Sequence, residues 1–158
     1  MRALIQRVKQ ARVQVGDETV GEIGQGILTF LGIGQSDTFE QVDWMIRKIL
    51  ALRIFEDTEG KMNRSLRDVS GAHLIVSQFT LYGDCSQGNR PGFSEAARPE
   101  RARELYEYAL KLSREAGVQT AGGKFQADMQ VELINDGPVT FWLETPPPRK
   151  PPDSMVHP

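Results

Sequence analysis

A glycine–proline step, Gly137-Pro138, separates two apolar runs near the end of this sequence. The runs span residues 129–134 and 139–144, and each has the composition of a buried strand. Proline has no backbone N–H and fits poorly in the middle of a sheet, so an interruption is expected here. An ordinary turn is the simplest interpretation. The alternative is a rigid backbone corner, with a cis bond as one form of it, that presents main-chain atoms to a ligand.

Hydrophobic periodicity in the first half predicts strands followed by a helix. Residues 3–15 alternate in places, as in a half-buried strand or hairpin, and a turn follows at Gly16-Asp17. Residues 26–33 are almost continuously apolar, which is typical of a strand buried on both faces. A helix is predicted to start at residues 36–38, where Asp37 and Glu40 have the spacing of a capping box. Its buried face consists of Val42, Met45, Ile46, Ile49 and Leu50.

The second half predicts a strand, a helix and two further strands. The helix begins near Pro99, which suits a first helical turn, and stops at Gly117. Its apolar face consists of Leu105, Tyr108, Ala109 and Leu112. The predicted strands are residues 73–81, 125–134 and 139–144, and the predicted loops are residues 56–65 and 83–92.

This order of elements predicts an α+β fold in which two main helices pack against a largely antiparallel, barrel-like sheet. The chain has 158 residues, enough for one domain with a proper core. That domain is predicted to span residues 1–144. Residues 145–158 hold six of the nine prolines and are predicted to form an extended, mobile tail outside it.

Charge and cysteine content limit the function classes. The formal net charge is −2, so contact with nucleic acid would need a local basic patch on an otherwise acidic protein. A single cysteine, Cys85, excludes an internal disulfide and a cysteine-based metal cluster. With no apolar run long enough for a membrane span and no signal-peptide pattern, we expect a cytoplasmic protein. The basic clusters are Arg2, Arg7, Lys9 and Arg12, and Arg90, Arg98, Arg101 and Arg103, which would also suit ordinary solvated surface.

A polar segment, Ser77-Gln78-Phe79-Thr80, follows the apolar run that begins at Leu74. Strand alternation would place Gln78 and Thr80 on one face, with Ser77 and Phe79 on the other. A buried Gln or Thr without a hydrogen-bond partner costs about 1–3 kcal/mol. These groups therefore either bond to neighbouring backbone at a sheet edge or form the polar floor of a pocket.

Familiar catalytic motifs are missing from the sequence. Only His73 and His157 are present, so a nucleophile–histidine arrangement has few choices of base, and no nucleophile elbow accompanies them. Metal-ligand spacings, a phosphate loop and a dinucleotide fingerprint are absent, and no metal or cofactor is expected. A hydrolase built from this chain must then use backbone groups, Thr80, Gln78 or groups of its substrate.

The polar segment and the Gly-Pro step together resemble D-aminoacyl-tRNA deacylases. The resemblance covers residue 1 to about residue 144. It rests on Ser77-Gln78-Phe79-Thr80, Asn135-Asp136-Gly137-Pro138-Val139-Thr140, Gln6-Arg7-Val8, Leu52-Arg53-Ile54-Phe55, Gly60-Lys61-Met62-Asn63 and Asn89-Arg90-Pro91. It implies an enzyme that hydrolyses the ester between a D-amino acid, or mischarged glycine, and the 3′-terminal adenosine of tRNA.

The resemblance also implies a homodimer with its pockets at the subunit interface. The Gly137-Pro138 bond would be cis, and this corner would enter the partner's pocket and exclude L-amino acids. Ser77, Gln78, Phe79 and Thr80 would line that pocket, with Phe125 near the adenine and Met129 beside the aminoacyl group. The aminoacylated tRNA 3′ end would be the partner, with no role for DNA or a membrane. Gln126 departs from the family, which usually has a small residue there.

The catalytic group is left open by the residues alone. Thr80 could act as the nucleophile, but no base lies near it in sequence. Alternatively the substrate's own 2′-hydroxyl takes part, while the enzyme positions the ester and stabilises the oxyanion through backbone N–H groups near Phe79 and Thr80. A different class of function, a dimeric module that binds tRNA ends without turnover, would also use the corner and the basic clusters.

Overall fold

The structure is a computed structural model that describes residues 1–146. The predicted tail lies outside the described residues except for Thr145 and Pro146, and the backbone N–H of Thr145 donates to Met1. Two helices, α1 (Phe39–Ala51) and α2 (Pro99–Glu115), accompany the strands. The strands are β1 (Arg2–Val15), β2 (Glu18–Ile23), β3 (Gly26–Gly32), β4 (Phe55–Glu56), β5 (Met62–Arg64), β6 (Ala72–Ser77), β7 (Thr120–Gly122) and β8 (Gln130–Glu144).

Strand β1 organises the main sheet because it is long enough to pair with three others. β8 runs antiparallel along one edge of β1, from Arg2 to Gln14. The other edge is shared by β3 and β2, which are also antiparallel to β1. β6 and β7 extend the sheet from β3 in parallel pairings, so the sheet is mixed. A Cβ on Gly21 of β2 would lie 2.2 Å from the carbonyl oxygen of Gly122 in β7, so the sheet curls into a nearly closed barrel.

Two apolar clusters hold this α+β fold together, as predicted. One fills the barrel and includes Val8, Leu28 and Leu74. The other lies between the sheet and both helices and includes Ile5, Ile49 and Leu105. Burial of the sheet on both faces explains why β3 is almost continuously apolar.

Helix α1 has the predicted buried face, but a different residue caps it. Thr38 is the N-cap, and its backbone N–H donates to Gln41 Oε1 at 2.8 Å. The predicted cap, Asp37, is instead buried, where its carboxylate accepts from the Gly34 N–H at 2.6 Å and from the Met1 ammonium at 2.7 Å. The capping-box prediction was therefore wrong by one residue.

Helix α2 begins at Pro99 as predicted, yet its buried face is rotated. Tyr106 and Ser113 are buried, whereas Tyr108 and Leu112 are only half-buried. The Tyr106 hydroxyl donates to the Ile75 carbonyl at 2.8 Å, a tertiary bond that helical spacing alone does not reveal.

Several strand boundaries also differ from prediction. β6 ends at Ser77, and a 3₁₀ turn at Phe79–Tyr82 replaces the predicted strand continuation. The predicted loop 56–65 contains the small β4–β5 hairpin. Residues 125–129 are not strand, and β7 was not predicted.

Strand β8 is one element that runs through Gly137-Pro138, where two strands joined by a turn were predicted. Its pairing with β1 jumps from Val8–Asn135 to Gln6–Thr140, so extra β8 residues bulge out of the ladder. β8 pairs only with β1 among the described residues and is an edge strand. Edges and bulges are the places where a sheet tolerates proline.

A buried polar chain links β3, β6 and α2. His73 is fully buried between the Thr29 hydroxyl at 2.7 Å and the Ser113 hydroxyl at 3.0 Å. Ser113 in turn lies 2.7 Å from the Thr120 hydroxyl of β7. Burial lowers the pKa of His73 to about 3, so the ring is neutral at pH 7.

The depressed pKa of His73 predicts an acid-sensitive fold. The unfolded chain protonates this ring below pH 6.5, but the folded chain does so only near pH 3. Stability that is complete above pH 6.5 therefore falls as the pH drops, by about 2 kcal/mol between pH 6.5 and 5. His73→Gln should flatten this dependence in urea unfolding at several pH values.

The control for this experiment is His157→Ala, which removes the one other histidine, outside the described residues. It should keep the full pH dependence. An unchanged pH slope in His73→Gln would contradict the assignment of the effect to the buried ring.

No helix within residues 1–146 has both the length and the apolar character that a membrane crossing requires.

Candidate functional site

A cavity of about 670 Å³ opens where β6 ends, beside the first turn of α2. Five of the predicted site residues line it: Ser77, Gln78, Phe79, Phe125 and Met129. Apolar residues that the sequence did not single out complete its wall, namely Ile33, Val76, Phe93, Ala96, Ala97, Pro99, Ala102, Ala127 and Val131, together with Gln126. A mostly apolar cavity with a few polar groups at one end is typical of a small-molecule site.

The polar end of the cavity arises where β6 stops pairing. The Gln78 N–H donates to Leu31 at 2.8 Å, which is the last bond to β3. The 3₁₀ turn begins immediately afterwards, and the first N–H groups of such a turn have no partner within it. Within residues 1–146, neither the Phe79 N–H nor the Thr80 N–H has a hydrogen-bond acceptor. Two adjacent main-chain donors are therefore available beside the cavity.

Thr80 does not occupy the position that strand alternation predicts. It lies in the 3₁₀ turn, is exposed and does not line the cavity. Its Oγ1 accepts a hydrogen bond from Gln78 Nε2. His73 cannot serve it as a base, because that ring is buried against Thr29 and Ser113. The described part of the chain thus gives the Thr80 hydroxyl no proton acceptor that would activate it.

Phe125 and Met129 flank the cavity from an irregular segment that precedes β8. Phe125 packs on Tyr106, with ring centroids 5.9 Å apart, and the Arg103 guanidinium lies 5.0 Å from its ring. Met129 lies so close to Gly123 that a Cβ there would be 2.8 Å from the Met129 sulfur. Both residues are therefore held in place by packing.

Gln126 has the left-handed backbone conformation that favours glycine, with φ of 61°. This backbone conformation favours a small residue, above all glycine, at this position. Its Oε1 accepts from Arg103 at 3.4 Å, a long bond that links the segment to α2.

The Gly137-Pro138 corner lies outside the cavity of its own chain. Both residues are exposed and neither lines the cavity. Their peptide bond is cis, as predicted, and Gly137 has φ of 149°. An added Cβ at Gly137 would lie 2.6 Å from the Val139 backbone nitrogen, so only glycine fits without strain.

Side chains on both sides brace this corner. The Asn135 amide donates across it to the Val139 carbonyl at 2.9 Å and to the Arg7 carbonyl at 3.1 Å. The Arg7 side chain, only 6% exposed as a residue, donates to the Asp136 carbonyl at 3.0 Å and to the Ile54 carbonyl at 2.8 Å. Its Nε is also 3.6 Å from the Asp136 carboxylate. The bulge is thus a fixed structure with its own tertiary support.

Comparison with known proteins identifies the family. Residues 4–144 match the family model described as D-Tyr-tRNA(Tyr) deacylase. The chain belongs to this deacylase family. A relative from Geobacter sp. (strain M21), named D-aminoacyl-tRNA deacylase, is 58% identical over 149 residues, covering 94% of this chain and all of the relative. A relative of the same name from Thermotoga petrophila is 52% identical and covers 92% of this chain and 97% of its own length.

Solved structures agree with the fold. One titled c-Myc DNA Unwinding Element Binding Protein has a TM-score of 0.87 at 44% identity, covering 93% of this chain and 100% of that chain. Another, titled as a probable eukaryotic D-amino acid tRNA deacylase, has a TM-score of 0.79 at 20% identity, covering 90% and 97%, and supports the fold alone. Membership of the deacylase family confirms the prediction that the chain is a hydrolase.

The cavity of this family member holds no metal-ligand cluster. Within residues 1–146, no group of three His, Cys, Asp or Glu side chains could hold a metal ion. The polar side chains that line the cavity are instead those of Ser77, Gln78 and Gln126.

Loss of the Arg7 side chain should destabilise the fold strongly. Arg7→Met leaves two carbonyl groups and Asp136 without their cation, so we expect unfolding free energy to fall by about 2–4 kcal/mol. Arg12→Met is the matched control, because Arg12 also joins β1 to β8 through its 2.7 Å ion pair with Glu132. That pair is exposed and should cost less than about 1 kcal/mol. Equal losses in urea unfolding would contradict a special role for Arg7.

Proposed function

We propose that this chain hydrolyses the ester bond between a D-amino acid, or mischarged glycine, and the 3′-terminal adenosine of tRNA. The pair of unpartnered N–H groups at Phe79 and Thr80, beside a cavity of about 670 Å³, is the observation that carries this proposal. Such donors suit the oxyanion of a tetrahedral intermediate. The names of relatives more than 50% identical over nearly the whole chain support the choice of substrate.

In the proposed reaction, a water molecule attacks the ester carbonyl carbon. The carbonyl oxygen becomes the oxyanion and accepts from the N–H groups of Phe79 and Thr80. The bond from that carbon to O3′ of the ribose then breaks, and O3′ receives a proton. Thr80 has no base that would activate its hydroxyl, so we assign the proton transfer to the substrate: its 2′-hydroxyl passes the proton from the attacking water to O3′. Gln78 positions the ester, while Ser77, Phe125 and Met129 enclose the adenosine and the aminoacyl group.

We further propose that the active unit is a homodimer in which Gly137 and Pro138 enter the partner's cavity. The exposed position of the corner, away from its own cavity, supports an action in trans. β8 also has an open edge and carries exposed large apolar side chains at Ile134, Phe141 and Trp142. An open apolar strand edge favours aggregation unless another chain covers it.

The corner would select the D configuration through main-chain atoms alone. Carbonyl groups at Gly137 and Pro138 accept hydrogen bonds from the substrate's α-ammonium. With the ammonium and the ester both fixed, the α-carbon has two directions left for a side chain. The open direction suits a D side chain, while the corner itself blocks an L side chain. Glycine has no side chain to block and is accepted.

The function and the role of Thr80 are tested together. Wild-type protein should release D-tyrosine from D-tyrosyl-tRNA and leave L-tyrosyl-tRNA intact. Thr80→Ala should retain most of this activity, within about tenfold in kcat/KM, because the hydroxyl is not the nucleophile. The measurement is release of labelled amino acid under single-turnover conditions.

Three outcomes of this assay would contradict the proposals. Equal release of both enantiomers would refute chiral selection, and tRNA binding without any release would favour a non-catalytic tRNA-end module. Activity at background in a folded, tRNA-binding Thr80→Ala protein would make Thr80 the nucleophile.

Complementation tests whether the corner acts in trans. Ala127→Trp places an indole at the cavity wall, and Gly137→Ala strains the corner. Each variant alone should be inactive. After the two are unfolded and refolded together, mixed dimers contain one intact cavity facing one intact corner, so about a quarter of wild-type activity should return.

Each variant refolded separately is the control and should stay inactive. A cavity served by its own chain's corner would give no recovery in the mixture.

A further inference from the structure

We propose that the rings of Phe79 and Phe93 form a stacking platform for the base of the penultimate nucleotide of the RNA substrate. This inference rests on the proposed function. It concerns the side chains of Phe79 and Phe93, whereas the proposed chemistry uses the Phe79 main chain. The ligand is a single-stranded nucleotide base with its phosphate.

The two rings form an exposed pair at the mouth of the cavity. Phe79 is 55% exposed and Phe93 is 38% exposed. Their ring centroids are 5.0 Å apart at an interplanar angle of 60°, and both side chains line the cavity. The other aromatic ring of the cavity, Phe125, packs on Tyr106 and lies beside Arg103, and it is proposed to enclose the adenosine. The mouth pair is the more exposed aromatic surface and is free to take a second base.

The chain around Phe93 is ordered by main-chain hydrogen bonds. Asp84 and Gly92 exchange two bonds of 2.8 and 2.9 Å, which close the loop just before Phe93. The Phe93 carbonyl then accepts from the Ala96 N–H at 3.1 Å. A Cβ on Gly83 would lie 3.2 Å from the Phe93 ring, so the ring packs closely on the backbone there. A ring fixed in advance loses little conformational entropy when a base stacks on it.

Charge near the platform suits a nucleotide. Arg90 and Arg98 flank Phe93 in the chain and are exposed. Within residues 1–146, neither guanidinium forms an ion pair, whereas Arg101 is paired with Glu104. Single-stranded RNA is bound by this combination of aromatic faces and arginines. Once the terminal adenosine occupies the cavity, the next nucleotide lies at its mouth, where Phe79 and Phe93 are exposed.

A second copy of this chain is the competing occupant of the exposed rings. A protein contact would make the dimer depend on Phe93, whereas a base contact would make RNA affinity depend on it. The two occupants are therefore distinguished by measuring both quantities on the same variant.

The variant is Phe93→Leu, which keeps an apolar wall but removes the aromatic face. On D-tyrosyl-tRNA it should lower kcat/KM by about tenfold, mainly through KM. On 3′-D-tyrosyl-adenosine, which has no penultimate nucleotide, the loss should be clearly smaller, because only a change in the cavity wall is felt. Phe93→Tyr, which keeps the aromatic face, should have the kcat/KM of the wild type on D-tyrosyl-tRNA. Phe39→Leu is the control, because Phe39 is similarly exposed but packs on Tyr108.

A binding cycle tests the platform independently of turnover. Wild type and Phe93→Leu are titrated with a short RNA ending in CCA and with the same RNA lacking the penultimate base. Removal of the base should weaken wild-type binding by about tenfold and leave Phe93→Leu binding unchanged.

Equal weakening of both proteins would overturn the platform. So would equal loss on both substrates, no loss on either, or dissociation of the dimer by Phe93→Leu. If the wild type released no amino acid while the binding cycle showed coupling, the proposed hydrolysis would fail and the platform would stand.

Discussion

The buried guanidinium of Arg7 is the interaction on which the irregular part of this fold depends. It extends from the central strand β1 to two carbonyl groups that no sheet ladder satisfies, at Ile54 and Asp136. Without it, the Asp136 carbonyl in the β8 bulge and the buried Ile54 carbonyl would lose this donor, at a cost of about 1–3 kcal/mol each. Asn135 adds two further bonds across the same bulge. The corner at Gly137 is therefore as firmly fixed as regular structure, although it lies outside the ladder.

The candidate site forms where regular hydrogen bonding stops. β6 ends at Ser77, and the turn that follows leaves the N–H groups of Phe79 and Thr80 without acceptors. In β8, residues 136–139 have no pairing partner in β1. Both features expose main-chain atoms that a continuous ladder would consume. Main-chain donors and acceptors would let the proposed site hold an ester and an ammonium group without a catalytic triad. The site would therefore not need a histidine.

Local periodicity predicted the elements whose environment is uniform along their length. The buried face of α1 and the apolar strand β3 are examples. Prediction failed where a tertiary hydrogen bond decided the outcome. Asp37 does not cap α1, because its carboxylate accepts from the Met1 ammonium, and α2 buries Tyr106, whose hydroxyl donates to the Ile75 carbonyl. Strand and 3₁₀ backbone both accommodate the polar residues after Ser77, so alternation could not place Thr80. Arg7 carried a usable signal, because it shares the strand parity of the buried Ala3 and Ile5.

The exposed edge of β8 connects the stability of the fold to the proposed chemistry. A protein that leaves a strand of this length open, with Ile134 and Trp142 uncovered, gains by covering it. The corner lies on that same strand, so a partner that covers β8 also receives Gly137 and Pro138. The interface and the stereochemical filter would then be one contact, and a monomer would lack both. Arg7 and Asn135 stabilise the bulge, and this would serve specificity. A regular β8 would pair with β1 equally well, but it would present no free carbonyl groups to a substrate.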